Sequence, residues 1–334
     1  MARIWLNHWF STAYNIINLI KQGEEDFVVI GSNTNENWIY KPVCDEAYVE
    51  PKVEGEEYIE FCLEFCKEHR IDVFMPRRNM VLISEHKKDF EKIGVKVMVE
   101  DYSIMSVLNQ KNESYELFRE KQIGYVPDYY IVKNAAEFLD AYNELVDAGR
   151  QVCFKFVNDE GGKSYRLIDN SNKDFNSLHY PQSSSRMSLE NVMKALNERE
   201  EFEPIMVMPY LSGNEVSVDC LKTSSGVIMI PRVKGMTRVE SVEYDKCILD
   251  ICKDFYEKVG LEYPCNIQFR YLDGIPYFLE VNTRMSGGVQ MSCLASGINI
   301  PNIAVNKLLG IDKEWENNFK AIKVSYVEYP LIVD

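Results

Sequence analysis

The fold is read from one stretch, Asn266-Ile267-Gln268-Phe269-Arg270-Tyr271-Leu272-Asp273-Gly274-Ile275-Pro276-Tyr277-Phe278-Leu279-Glu280-Val281-Asn282-Thr283-Arg284-Met285-Ser286-Gly287-Gly288. Asp273-Gly274 is a hairpin turn signal between two strands. On the second strand a period of two puts Phe278, Glu280 and Asn282 on one face and Leu279 and Val281 on the other. A carboxylate and an amide oxygen on one rigid face suit Mg²⁺, which prefers oxygen ligands and keeps phosphate and water in its shell. A three-residue loop would set Gln268 opposite Glu280, whereas a two-residue turn leaves it one residue out of register, so a wider, bulged loop is expected. Arg284, two residues beyond Asn282, could fork onto a phosphoryl group. An ordinary hairpin with solvated polar residues would carry the same string, so the surrounding segments must decide.

Upstream, Asn109-Gln110-Lys111-Asn112-Glu113 opens a helix that stops at Ile123-Gly124-Tyr125-Val126-Pro127. Lys155 lies inside the apolar strand Val152-Cys153-Phe154-Lys155-Phe156, where an unpaired ammonium is costly. A glycine-bearing loop follows, with Gly161-Gly162-Lys163-Ser164, then a polar stretch over 169–188. The strands Pro204 to Leu211 and Glu215 to Leu221 are broken by Ser212-Gly213-Asn214.

These four motifs, in this order, resemble the ATP-grasp superfamily, and in particular the branch with the ATP-binding domains of carbamoyl-phosphate synthase and biotin carboxylase. The resemblance implies that Lys111 and Lys155 neutralise phosphate charge, and that Gly161, Gly162, Lys163 and Ser164 form a lid over the phosphates. It implies that Met208, Pro209, Tyr210 and Leu211 receive adenine and that Glu215 accepts the ribose hydroxyls. Gln268, Glu280 and Asn282 would hold one or two Mg²⁺, or Mn²⁺, and Arg284 with Lys155 would stabilise the transferring phosphoryl group. Two departures stand out. Pro209 occupies a position that is acidic in many members, and Met285-Ser286-Gly287-Gly288 lacks a further arginine carried by carbamoyl-phosphate synthase.

The first hundred residues alternate strand and helix, which implies a parallel sheet with right-handed crossovers. Ser11-Thr12 is the expected cap of the first helix. The turn Asn7-His8-Trp9-Phe10-Ser11 has no glycine, so a dinucleotide fingerprint is excluded. The expected fold class is thus α/β and α+β: a doubly wound N-terminal domain over 1–106, then a two-lobed ATP-grasp fold. Its small lobe would span 107–205 with the lid, and its large lobe 206–334 with the hairpin.

Net charge is −15 over 334 residues, which argues against a nucleic-acid partner or an anionic membrane surface. No apolar run approaches a bilayer span and the N-terminus does not read as a signal peptide, so the expected location is the cytoplasm. The nine cysteines lack zinc-site spacing and read as reduced thiols.

The resemblance implies an ATP-dependent carboxylate–amine ligase working through an acyl phosphate and forming ADP and phosphate. Its partners would be a small-molecule carboxylate and amine, with an amino-acid or dipeptide ligase as the specific expectation and a homodimer compatible with it. The rivals are a regulatory ATP-binding module and a carboxylase-type subunit needing a partner. Arg232, Lys234 and Arg238 after one strand form a spaced basic set that could hold a substrate carboxylate, with a solvated basic loop as the other reading. Arg77 and Arg78 are a further set, at the strand end where doubly wound sheets bind ligands.

Overall fold

Apolar β-branched and aromatic runs build the first sheet: β1 (Ala2–Asn7), β2 (Phe27–Asn33), β3 (Glu46–Val49), β4 (Val73–Met75) and β5 (Lys96–Val97). They lie in the order β3-β2-β1-β4-β5, and every pair is parallel. The chain leaves β1 to one side through β2 and β3, then returns to its other side with β4. The order therefore reverses at β1 and β4, the switch point at which doubly wound sheets open a crevice beyond their carboxyl ends. Trp5 stacks on Phe74 at 4.1 Å, and the helix Gly55–Glu68 covers them with Tyr58, Ile59, Cys62, Phe65 and Cys66. In the first helix, Ala13–Lys21, Thr12 holds the cap position without a side-chain hydrogen bond, so the expected hydroxyl cap is not made.

The computed structural model describes residues 1–158, 163–171, 185–235, 237–316, 320–328 and 330–332. The expected lid glycines Gly161 and Gly162, and most of the polar 169–188 stretch, lie outside the described residues.

A second sheet, in the order β6-β10-β7-β8-β9, consists of β6 (Tyr130–Val132), β7 (Val152–Phe156), β8 (Arg166–Ile168), β9 (Arg186–Met187) and β10 (Ile205–Pro209). Helix Ala135–Asp147 packs on it through Phe138, edge-on to Phe154 at 5.2 Å, and is capped by Asn134, whose side chain accepts from the Glu137 N–H.

The third sheet follows the order β15-β14-β11-β12-β13-β16, from β11 (Glu215–Thr223), β12 (Gly226–Lys234), β13 (Glu240–Val242), β14 (Cys265–Leu272), β15 (Ile275–Asn282) and β16 (Ile322–Val324). Between β14 and β15 only Asp273 and Gly274 intervene, and both have positive φ, at 52° and 79°. That is the two-residue turn favoured by Asp-Gly, not the expected wider loop. Counting outward from it sets Gln268 across from Leu279 rather than Glu280.

The chain divides into two compact units: Met1–Asn109 with Asn214–Phe269 and Leu279–Asp334, and Gln110–Gly213 with Arg270–Phe278. Residues 1–106 and most of 206–334, expected in separate domains, thus share one unit, because they share one core. Ile4 and Leu6 of β1 belong to the same buried cluster as Leu221 of β11 and Ile228 and Ile230 of β12. Asn299 and Asn302 fasten it further, donating to the carbonyls of Leu19 at 2.7 Å and Ile20 at 3.0 Å. In the smaller unit Phe278 stacks on Phe118 at 3.8 Å.

Candidate functional site

On β15 the period of two aims Glu280 and Asn282 the same way, and the Asn282 amide donates to Glu280 Oε1 at 3.4 Å. Arg284 continues the row, donating to Asn282 Oδ1 at 3.2 Å and to the Met285 carbonyl at 3.3 Å. All three side chains are half-buried, reachable yet partly shielded from solvent. Gln268, on the neighbouring strand β14, donates to Asn266 Oδ1 at 3.2 Å.

One carboxylate and two amides are a weak cage for a bare divalent ion. The set fits Mg²⁺ arriving with a polyphosphate, whose own oxygens complete the shell, because Mg²⁺ dehydrates reluctantly and is usually held by one or two carboxylates plus phosphates. Among the described residues no group of three His, Cys, Asp or Glu could hold a metal, and all nine cysteines are free thiols.

Behind the hairpin lies a buried polar network that sequence reasoning did not single out. Asn266 is fully buried and its amide donates to Ser217 Oγ and to Asp219 Oδ1, each at 2.9 Å. Asp219 Oδ2 accepts from Ser292 Oγ at 2.6 Å and from Arg232 Nη2 and Nε at 3.1 and 3.2 Å. Arg232 also binds Glu240 and the hydroxyls of Ser292 and Ser286. Burial alone would depress the Arg232 pKa, but the charges of Asp219 and Glu240 raise it above the ordinary value. Gly288 makes room for this guanidinium, since a Cβ there would lie 2.4 Å from Arg232 Nη1.

The three cations expected to contact substrate here, Arg232, Lys234 and Arg238, each have a carboxylate partner in the protein. Arg232 is 2% exposed and committed to two carboxylates. Lys234 pairs with Glu215, directly across the β11–β12 ladder. Arg238 is exposed, pairs with Glu328 at 3.0 Å and lies over the Tyr326 ring. The three cations therefore face three different partners. Glu215, expected to accept ribose, already shares one oxygen with Lys234.

In the smaller unit, β7 carries Lys155 opposite Met206 of β10, with its ammonium 5.8 Å from the centre of the Tyr115 ring. Lys111 is half-buried at the start of the helix Lys111–Glu120. Lys163 is exposed, while the Ser164 hydroxyl accepts the Phe156 N–H at 2.9 Å and pins the start of the returning strand to β7. Met208 and Pro209 end β10, and Leu211 is buried just after it. The Tyr210 N–H is spent on the Gln151 carbonyl at 2.7 Å, and the Pro209 carbonyl accepts the weak Cys153 thiol donor at 3.6 Å. Arg270, which the sequence reading passed over, holds this bend: it donates to the Gly213 carbonyl at 3.2 Å and the Tyr210 hydroxyl at 3.3 Å.

At the switch point of the first sheet, Asn7 Oδ1 accepts the Arg77 N–H at 2.6 Å, which fixes the turn after β4 to the end of β1. Arg78 lies 4.4 Å above the Tyr58 ring, donates to the Val53 carbonyl at 2.8 Å, and approaches Glu50 at 3.5 Å. It is braced by protein. Arg77 lies 4.1 Å from the centre of the Phe10 ring.

Comparison with known proteins bears on both units. Residues 201–330 match the family described as ATP-grasp in the biosynthetic pathway with Ter operon, and residues 12–98 match the PylC-like N-terminal domain. The arginine-specific carbamoyl phosphate synthase large chain of Geobacillus stearothermophilus is 23% identical over 90% of this chain, which spans 28% of that relative. Among solved structures, the biotin carboxylase domain of Hydrogenobacter thermophilus 2-oxoglutarate carboxylase, in complex with MgADP, ADP and bicarbonate, superposes with a TM-score of 0.68 at 16% identity. The match covers 95% of this chain and 71% of that one. An L-amino acid ligase from Bacillus licheniformis gives 0.63 at 15% identity, over 92% and 74%. At such identities the structures establish the fold. No helix among the described residues is long and apolar enough to cross a membrane.

Proposed function

Because this chain has the ATP-grasp fold, in the form shared with carbamoyl-phosphate synthase and biotin carboxylase, we propose that it is an ATP-dependent carboxylate–amine ligase, of amino acids or short peptides. The observation that carries the reading is the row Glu280, Asn282, Arg284 on one face of β15. A module that only bound ATP would not need a carboxylate, an amide and a guanidinium aligned beside one another.

In this reading Lys155 and Lys111 neutralise the nucleotide phosphates, and the bend Met208–Leu211 receives the adenine edge. Gln268, Glu280 and Asn282 hold the Mg²⁺, which supplies charge neutralisation on the phosphates. A substrate carboxylate oxygen attacks the γ-phosphorus in line, the bond to the β–γ bridging oxygen breaks, and ADP leaves. Arg284 faces the equatorial oxygens of the transferring group. The amine then attacks the acyl carbon, inorganic phosphate departs with the bonding pair, and the amine loses a proton. The protein's contribution is position and charge rather than a covalent bond.

The test is ADP release with Mg-ATP against a panel of amino acids and dipeptides. Glu280→Ala should abolish it while the circular dichroism spectrum stays that of the parent. Turnover surviving in that variant would overturn the assigned site. ATP binding without ADP release for any acceptor would turn the reading toward a regulatory module.

A further inference from the structure

Arg284 ends a long, rotamer-rich side chain, and holding it to one aim costs conformational entropy unless its surroundings do the holding. Its Nη2 donates to Asn282 Oδ1 at 3.2 Å and its Nη1 to the Met285 carbonyl at 3.3 Å. The carbonyl contact is only as rigid as the peptide between Met285 and Ser286. That peptide opens the turn Ser286-Gly287-Gly288, which leads into the helix Val289–Ser296. Side-chain packing does little to fix this turn, since a Cβ at Gly287 would find nothing nearer than the Thr12 hydroxyl at 3.7 Å.

Hydrogen bonding fixes it instead. Ser286 is buried, and its hydroxyl accepts the Gly288 N–H and Arg232 Nη2, each at 3.1 Å. The same guanidinium donates through Nε to Ser292 Oγ at 2.8 Å, near the start of the helix. Arg232 thus grips the turn at both of its ends. Asp219 and Glu240 already answer the buried charge, so the two hydroxyls are not needed to keep it in the core. What they add is a fixed path from the core to the main chain beside Arg284.

We infer that Ser286, held by Arg232, is a positioning residue for the proposed phosphoryl transfer. It fixes the Met285 carbonyl on which Arg284 leans, and through it the angle at which Arg284 meets the γ-phosphoryl group. The inference rests on the reading that Arg284 faces that group. Without the Ser286 hydroxyl, Arg284 keeps its charge and its contact with Asn282 but loses its fixed aim. The loss is therefore confined to the γ-phosphoryl group, and nucleotide lacking that group binds as before.

Calorimetry with Mg²⁺ gives Kd for ADP and for a non-hydrolysable ATP analogue, on the parent, Ser286→Ala, Arg284→Ala and the double variant. The preference for the analogue over ADP reads the γ-phosphoryl contact alone. It should fall about tenfold in Arg284→Ala and about threefold or more in Ser286→Ala, with Kd for ADP unchanged to within roughly twofold. The double variant should match Arg284→Ala to within roughly twofold, because a residue that acts through another has nothing left to act on. A preference kept by Ser286→Ala and lost in Arg284→Ala, or two losses that multiply in the double variant, would overturn the inference. So would ADP binding weakened in Ser286→Ala as much as analogue binding, which would show Ser286 holding the fold at large. A preference untouched by Arg284→Ala, or a parent that binds neither nucleotide, would overturn the reading of Arg284 and the inference with it. Binding needs no acceptor, so the expected cycle without ADP release for any amine would uphold the positioning role and count against the ligase reading.

Discussion

Asp219→Asn is the substitution whose consequence follows most directly from the geometry. One Asp219 oxygen accepts from Asn266, while the other takes Ser292 and two nitrogens of Arg232. An asparagine must present an NH₂ to one side or the other, and whichever way it turns, a donor meets a donor. Arg232, 2% exposed, is then left with Glu240 as its remaining carboxylate. Removing one partner of a buried pair costs about 3–5 kcal/mol. The surviving Glu240 contact places this case near the low end, at about 3–4 kcal/mol. For a folding unit of this size each kcal/mol moves Tm by roughly 2–4 °C, so a fall of roughly 6–16 °C is expected by calorimetry. Urea unfolding should show a lower midpoint with an unchanged slope. The double variant Asp219→Asn with Arg232→Met removes the stranded charge together with its broken partner and should recover at least half of the loss. A single variant within about 1 kcal/mol of the parent, or a double variant no better than the single, would refute the argument that Asp219 is the counter-charge of a buried arginine.

Three further outcomes are expected. Lys155→Met removes a charge-assisted contact worth about 1.5–3 kcal/mol, so kcat/KM for ATP should fall roughly ten- to a hundredfold with unfolding unaltered; an unchanged value would remove Lys155 from the nucleotide site. Glu100 is buried, which pushes its carboxyl up to about 6 against the pull of the Glu262 and Tyr263 N–H groups that it accepts at 2.9 and 2.7 Å. Its folded pKa lies above the unfolded one, so the native state binds the extra proton and gains stability as pH falls from above 6 toward 4.5. The parent should therefore gain about 2 kcal/mol on Glu100→Gln between pH 7.5 and 4.5, measured by urea unfolding of both proteins at each pH, and a pH-independent difference would contradict it. Arg270→Ala should weaken binding of a fluorescent ATP analogue several-fold, since the bend at Tyr210–Gly213 loses two of its hydrogen bonds, each worth about 1 kcal/mol; tight binding in that variant would show the bend to be self-supporting.

What the sequence made legible, and what it hid, follows from which interactions are local. The parallel sheet and the β14–β15 hairpin rest on short-range alternation and turn chemistry, and both are present. The expected wide loop is absent because Asp-Gly itself specifies a two-residue turn, a local preference that a register placing Gln268 opposite Glu280 does not override. Lys234 shows the opposite case. The ladder closes at Thr223 and Gly226 across Ser224-Ser225, so counting outward from that turn places Glu215 against Lys234 and Ser217 against Arg232. Their pairing was readable from the sequence, and with it the competition for Glu215. Arg232 was harder to place. An arginine on a strand reads the same whether it faces solvent or a carboxylate, and its partner Asp219 sits diagonally across the ladder with Ser292 and Glu240 arriving from distant segments. The one local sign was the period-two run Glu215-x-Ser217-x-Asp219 inside an apolar strand, where buried polar groups must find partners. The same logic explains the division of the chain. Leu221, Ile228 and Ile230 look like any inward-facing strand residues, and nothing local says that they pack in one core with Ile4 and Leu6. That shared core has a functional consequence. It fixes the carboxyl ends of the first sheet and the row Glu280, Asn282, Arg284 within one folding unit, so the distance between them is set by packing and not by a hinge.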